Sequence, residues 1–390
     1  MNALRLVTIW VFWLCAGGGV YSYALYPLVV YFAARLFGRR RSAPSLDETG
    51  LPEISLLIAA HNEEAVIAGR VQNAMELDYP REKLQIVIAC DGSTDRTAEL
   101  VKPFAGQGVR LIDYSARRGK ATVLNDAMGQ LTGQIVLLSD ANTYTDASAA
   151  RNLVRWFIDP SVGAVCGRLV LTDPESGKNV DSLYWRYETF LKKQESRLGA
   201  LLGSNGAIYA IRRELLQPIP NSTIIDDFVI PLRAKQRSGC DIVYDSDAVA
   251  REETAPDVAT EFRRRSRIGA GGWQAIGMLW RLLDPARGWI AFTFFSHKIL
   301  RWLCPFFLVL MVVSNLMLCR QRVYGILMAA QVTFYAAALV GRHVPKGMPL
   351  NKLLRLANMF ASMNAALLVG FFRWISGPQT GIWRPTRRVA

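Results

Sequence analysis

The sequence predicts a doubly wound, mostly parallel α/β domain set between apolar ends long enough to span a membrane. Three observations predict it. Hydrophobic residues make up 51% of the 390-residue chain, and the excess gathers in roughly residues 4–37 and 290–376. Between them, continuous apolar runs alternate with helical stretches, the pattern of strands buried on both faces. Acidic and basic residues then follow the ends of those runs, where open parallel sheets bind ligands.

The apolar run Leu4–Phe37 is interrupted only by Gly17-Gly18-Gly19 and Pro27, and it stops at Gly38-Arg39-Arg40-Arg41. It is too long for a secretory signal, and about 20 residues suffice to cross the hydrocarbon core. One long tilted helix is expected, with a hairpin at the triple glycine as the alternative. The arginine cluster puts the following domain on the cytoplasmic side. Residues 42–52 form a polar linker. Strands are then expected at Ile54–Ala60, Leu84–Ala89, Val109–Asp113 and Ile135–Ser139. Helices are expected at Glu63–Leu77, Thr94–Phe104 and Lys120–Leu131.

Beyond Asp181 the pattern changes. Asp181–Leu198 and Asp257–Leu283 mix Trp, Tyr, Arg and Lys at helical spacing. They suit helices lying in the membrane interface or ordinary surface helices. Ile299–Leu318 and Val323–Val340 are good spanning segments, whereas Leu356–Phe372 carries Asn358, Ser362 and Asn364. The expected divisions are therefore 1–41 (N-terminal span), 51–255 (α/β domain), 256–298 (interfacial helices), 299–376 (C-terminal spans) and 377–390 (tail).

Net charge is +14, from 46 Lys+Arg against 32 Asp+Glu. The basic residues flank apolar segments and form no separable basic domain, which excludes nucleic acid as a partner. They read as positive-inside flanks, or as cations for a diphosphate and anionic lipid headgroups. Six cysteines show no CxxC and no paired spacing, and the three histidines form no HExxH, which excludes a disulfide framework and zinc hydrolysis.

Five groups carry chemistry. Asp91-Gly92-Ser93-Thr94-Asp95 follows the second strand, where Asp91 can accept from a base or ribose and the rest can cap a helix. Arg117-Arg118-Gly119-Lys120 opens a helix. A cation is disfavoured there unless a phosphate shares the site or the charges are merely solvated. No GxxxxGK[ST] or GxGxxG accompanies it. Asp140-Ala141-Asn142 ends the fourth strand and can hold one divalent cation through oxygen. Asp226-Asp227 can cap a helix or supply a general base. Arg263-Arg264-Arg265-Ser266-Arg267, running into Gly269–Gln274, reads as lipid-facing snorkels or as a guanidinium clamp on phosphate.

In this order the motifs resemble those of the membrane-integrated family 2 glycosyltransferases, relatives of cellulose, hyaluronan and poly-N-acetylglucosamine synthases, over residues 51–283. The resemblance implies a GT-A fold and inverting, metal-assisted transfer from a UDP-sugar to a growing polysaccharide at the cytoplasmic face of the cell (inner) membrane. Single-sugar transfer to a polyprenyl phosphate or glycolipid is the alternative, and a non-catalytic export-complex subunit a third reading. By position, Asp91 would meet the nucleobase and Lys120 the nucleotide. Asp140 with Asn142 stands at the family's Asp-x-Asp, implying Mg or Mn as cofactor. Asp226-Asp227 stands at Thr-Glu-Asp, making Asp227 the base and putting Asp226 on the acceptor side.

Arg264–Ile268 stands at Gln-x-x-Arg-Trp, implying Arg267, with Arg265, on the diphosphate. Asn142, Arg264 and Ile268 depart from the pattern, and the last removes the tryptophan set near an acceptor sugar. Trp273, or Tyr184–Tyr187, could offer a stacking face instead, or belong to an interfacial aromatic belt. The tail with Trp383, Thr386 and Arg387 is similar to a nucleotide-gating segment. One N-terminal span and three later spans would leave it outside the cell, away from the nucleotide.

Overall fold

The computed structural model describes residues 3–173, 183–254, 258–341 and 351–377. The chain forms two compact units. One gathers the described parts of Val30–Pro256 and Gly277–Thr293. The other gathers those of Met1–Val29, Asp257–Ile276 and Phe294–Gly377.

The first unit is an α/β domain on an eight-stranded sheet: β1 (Ile54–Ala60), β2 (Leu84–Asp91), β3 (Val109–Tyr114), β4 (Ile135–Asp140), β5 (Tyr144–Thr145), β6 (Val162–Thr172), β7 (Tyr209–Arg212) and β8 (Asp241–Glu253). The strand order is β3-β2-β1-β4-β7-β6-β8-β5. The first four strands are parallel, with Ile54 of β1 opposite both Leu84 and Ile135. All seven residues of β1 are buried, as expected of a central strand covered on both faces. β7 runs antiparallel to β4 and β6, β8 is parallel to β6, and β5 is antiparallel to β8. The expected strands are all present. The helix expected from Glu63 begins at Ile67, because Asn62, Glu63 and Glu64 spend side-chain or main-chain groups on Thr94, Thr97 and Asp95.

The stretch expected as an interfacial or surface helix forms the helix Leu183–Arg197. It packs on the domain, burying Leu191 and Glu195, while Ser196 Oγ accepts from the Tyr244 amide at 2.9 Å. The domain takes hold immediately after the N-terminal helix. The Arg39 amide donates to the Arg197 carbonyl at 2.8 Å, and Arg39 and Arg41 both pair with Asp241.

Among the described residues, four helices are long and apolar enough to cross a membrane: Ala3–Phe37, Trp289–Leu318, Arg322–Gly341 and Leu353–Ile375. The first is continuous, with a π-helical turn at Tyr21–Leu25. The triple glycine is a packing notch and makes no hairpin. A Cβ at Gly18 would lie 2.8 Å from the Phe307 ring, so only glycine admits that contact. In the helical unit, Phe12, Leu318 and Tyr324 form a small core. The two asparagines Asn358 and Asn364 of the last helix are satisfied, as apolar surroundings demand: Asn358 donates to the Ala338 carbonyl and Asn364 to that of Phe360.

Candidate active site

The C-terminal ends of β1, β2 and β4 open on one rim of the sheet, and the polar residues gather there. Asp91, the last residue of β2, is fully buried. Its two carboxylate oxygens accept from the amides of Arg118 (2.6 Å) and Gly119 (2.9 Å). It therefore clamps the turn that enters the helix Lys120–Met128. Gly92 has φ +55°, and a Cβ there would collide with the Ala116–Arg117 backbone. His61 Nδ1 donates to the Asp91 carbonyl at 2.7 Å, tying β1 to β2. Asp95 accepts from the Thr97 amide and hydroxyl and from the Glu64 amide, so its role here is capping.

With the turn fixed, Lys120 projects between two elements. Its Nζ lies 2.7 Å from Asp140 Oδ1, at the end of β4, and 3.0 Å from Asp226 Oδ2, at the start of the helix Asp226–Ser238. Burial alone would depress this ammonium. Asp140 and Asp226 more than offset it and hold Lys120 above its ordinary range. Asp226 is buried and Asp227, the next residue, half-buried. Burial first, then repulsion from Asp226, raises the Asp227 carboxyl to about 6 against the pull of Lys120. A carboxyl in that range is suited to proton transfer near neutral pH.

Residues that local sequence reading passed over complete the cluster. Arg70 is fully buried, donating to Ser139 Oγ at 3.0 Å and Asn73 Oδ1 at 3.1 Å. Burial lowers its guanidinium to about 10. Tyr209 of β7 is buried with a hydroxyl that has no hydrogen-bond partner among the described residues. Burial, then Asp226, Asp227 and Asp140, hold that phenol well above its ordinary range. The segment Gly203–Gly206 joins the two acidic positions. The Gly206 carbonyl accepts from the Asp140 amide at 3.0 Å, and the Ser204 amide and Oγ both donate to the Asp227 carbonyl. Pro231, four residues beyond Asp227, makes that carbonyl available, because proline has no N–H to take it up within the helix.

Asp140 Oδ2 and Asn142 Oδ1 carry no hydrogen bond among the described residues, while Asn142 Nδ2 donates to Glu252 at 3.0 Å. A Cβ at Gly206 would lie 2.5 Å from Asp140 Oδ2, so glycine keeps that oxygen open. One free carboxylate oxygen and one free amide oxygen fit a hard divalent cation. No cluster of three His, Cys, Asp or Glu is arranged for a metal among the described residues. Such an ion would complete its shell with phosphate oxygens and water.

The structure thus brings Lys120, Asp140, Asp226 and Asp227 together, with Asp91 beneath and Asn142 alongside. Arg265 and Arg267 stand on the helix Val258–Leu279, in the part assigned to the helical unit. There Arg265 pairs with Glu261 at 2.6 Å, and Arg267 is exposed. Trp273 packs among Phe306, Phe371 and Trp374, with centroids 5.0–6.1 Å away. The Trp273 ring is thus engaged by other aromatic side chains of the helical unit. Trp383, Thr386 and Arg387 lie outside the described residues, as does the Tyr184 side chain.

Residues 55–219 match the profile described as Glycosyl transferase family 2. That stretch of the chain is therefore similar to the family 2 glycosyl transferases. The matched stretch holds β1 to β4, Asp91, Lys120 and Asp140, while Asp226 and Asp227 lie just beyond it. The chain is 28% identical over 268 residues to a beta-monoglucosyldiacylglycerol synthase of Synechocystis, covering 65% of this chain and 55% of that protein. It is 26% identical over 253 residues to a poly-beta-1,6-N-acetyl-D-glucosamine synthase of Staphylococcus aureus, covering 63% and 61%. The matched part spans little more than half the length of these curated relatives. In fold it is similar to the mannosyltransferase PcManGT of Pyrobaculum calidifontis, solved with GDP-Man and Mn2+. The TM-score is 0.71, with 23% identity over 95% of this chain and 99% of that one. The α/β domain accordingly has the GT-A architecture.

Proposed function

We propose that this chain is a multi-pass membrane glycosyltransferase that moves one sugar at a time, with inversion, from a nucleoside-diphosphate sugar to a lipid-borne acceptor at the cytoplasmic face of the cell membrane. The observation that carries the reading is the bridge from Lys120 to Asp140 and Asp226, with Asp227 next in the chain. It puts a phosphate-side cation and a carboxyl raised to about 6 in one cluster.

Lys120 is the donor-side residue. Its ammonium, held protonated, stabilises negative charge gathering on the departing diphosphate. Asp91 acts through the turn it clamps and positions Lys120 for the nucleotide. Asp227 takes the proton from the acceptor hydroxyl as that oxygen attacks the anomeric carbon. Asp226, on the acceptor side, holds the Lys120 ammonium in place. Asp140 and Asn142 would hold a divalent ion, which when bound would neutralise diphosphate charge. Arg265 and Arg267 are assigned to the diphosphate by motif position alone.

Two observations favour the lipid acceptor: Ile268 replaces the family tryptophan, and Trp273 is taken up in an aromatic cluster. The similarity to a poly-N-acetylglucosamine synthase supports a second reading, extension of a polysaccharide. The test is a panel of UDP- and GDP-sugars with purified protein and membrane lipids, with and without Mg²⁺ or Mn²⁺. Release of nucleoside diphosphate and product size are read together. Sugar-dependent release with a single addition is expected. A ladder of products would select the polymer reading, and no release from any donor would overturn the assignment.

A further inference from the structure

Away from the acidic cluster, the α/β unit carries a cavity of about 500 Å³ lined by Pro220, Arg233, Gln236, Arg237, Met278 and Arg281. Arg233, Gln236 and Arg237 share one face of the helix Asp226–Ser238, at spacings of three and four. Met278 and Arg281 form the facing wall, from the last turn of Val258–Leu279 and the 3-10 turn Trp280–Leu283. Three guanidinium groups thus face one space, and none of the lining residues is acidic.

Arg233 donates to the Pro218 carbonyl at 3.2 Å. Arg237 and Arg281 are exposed and have no ion pair or hydrogen bond among the described residues. Arg281 lies 5.7 Å from the Trp280 ring. A cation in the last turn of a helix is favoured by the dipole, which accounts for Arg237 alone. Three like charges around one concavity repel unless an anion joins them.

The position of the cavity indicates which anion. Trp280 is 61% exposed, as tryptophans at a membrane surface are. The candidate span Trp289–Leu318 starts eight residues after Arg281. Arg287, two residues before that span, donates to the Gln236 carbonyl at 3.1 Å and so ties the cavity wall to the span entry. The Trp289 ring also packs 5.6 Å from Phe37, the last residue of the first span. One candidate span therefore starts close to this cavity, and the end of a second packs on that start. Guanidinium forks suit phosphate oxygens, and the volume suits a headgroup, small-molecule sites being roughly 300–1,000 Å³.

We propose that this cavity binds the phosphate of an anionic phospholipid headgroup. The inference is independent of the transfer reading, because binding is measured without any sugar donor. The full chain in detergent would be titrated by calorimetry with dihexanoyl-phosphatidylglycerol, dihexanoyl-phosphatidylcholine and inorganic phosphate. Saturable binding of the phosphatidylglycerol is expected, about tenfold or more weaker in the Arg237→Gln/Arg281→Gln double variant. Because both side chains are exposed, that variant should melt as the wild type does. Removing the same charge elsewhere, in Arg96→Gln/Arg110→Gln, should leave binding unchanged. Undiminished binding by the first variant, equal loss in the second, or equal binding of phosphatidylcholine would each overturn the proposal. Inorganic phosphate binding as tightly as the lipid would overturn the headgroup assignment and leave a free-anion site.

Discussion

Ser204 grips the main-chain oxygen of Asp227 twice, through its amide at 3.2 Å and its hydroxyl at 2.7 Å. The grip exists because Pro231 has no amide to offer that oxygen. Pro231→Ala would restore a competing N–H and, by propensity, strengthen the helix by up to about 3 kcal/mol. The expected result is a melting temperature equal to or above wild type with a lower kcat. Ser204→Ala removes only the hydroxyl bond and should cost about 1 kcal/mol of stability. Calorimetry beside steady-state kinetics checks both. A Pro231→Ala variant with wild-type kcat would show the tie to be structural only.

Asp227, raised to about 6, should impose an acid limb on kcat/KM near that pH, with activity rising as the carboxyl loses its proton. Between about pH 4 and 6 the folded protein binds more protons here than the unfolded chain does, so stability falls as pH rises through that window. Asp227→Asn should reduce transfer by about a hundredfold or more and leave nucleotide binding intact. It should also raise the melting temperature at pH 8 and do little at pH 4. A variant that is both active and no more stable at pH 8 would remove Asp227 from the mechanism.

Lys120→Met leaves Asp140, Asp226 and Asp227 facing one another with no cation between them. A loss of roughly 2–4 kcal/mol at pH 7 is expected, toward the lower end for breaking a buried pair, because the lysine side chain keeps 21% exposure. The acid limb should move to higher pH, since Lys120, the larger of the two cationic influences that oppose the rise at Asp227, is gone. Denaturant titration at pH 5 and pH 7 should show the defect shrinking as the carboxylates protonate.

Asp91→Asn puts a donor where two backbone amides already donate. The expected cost is about 1–3 kcal/mol, with a rise in KM for the donor that exceeds any fall in kcat. Equal loss of kcat and kcat/KM would argue that Asp91 itself touches the reacting groups.

Much of this was legible in the sequence for a physical reason. The apolar runs of β1 to β4 are nearly self-contained signals, and Asp91, Lys120, Asp140 and Asp226 stand at element ends, where polar residues need a purpose. β6 to β8 could not be read the same way, since their pairing joins segments as far apart as Val162 and Asp241. Arg70 sits within a helix and Tyr209 within a strand, so only tertiary neighbours reveal either as part of the site. Ser204 did leave a trace. A proline in a helical run four residues past an aspartate announces a carbonyl without its usual donor.

The helix Ala3–Phe37 is about 52 Å long at 1.5 Å per residue, against about 30 Å of hydrocarbon. Gly38 alone separates its end from Arg39, whose amide is already bonded to the domain. A leash of one residue has about 3.5 Å of play. Within the α/β unit, the helix end, residues 30–37, is therefore held to Arg197 with almost no slack, so a residue inserted after Gly38 would lengthen the tether that this bond keeps short.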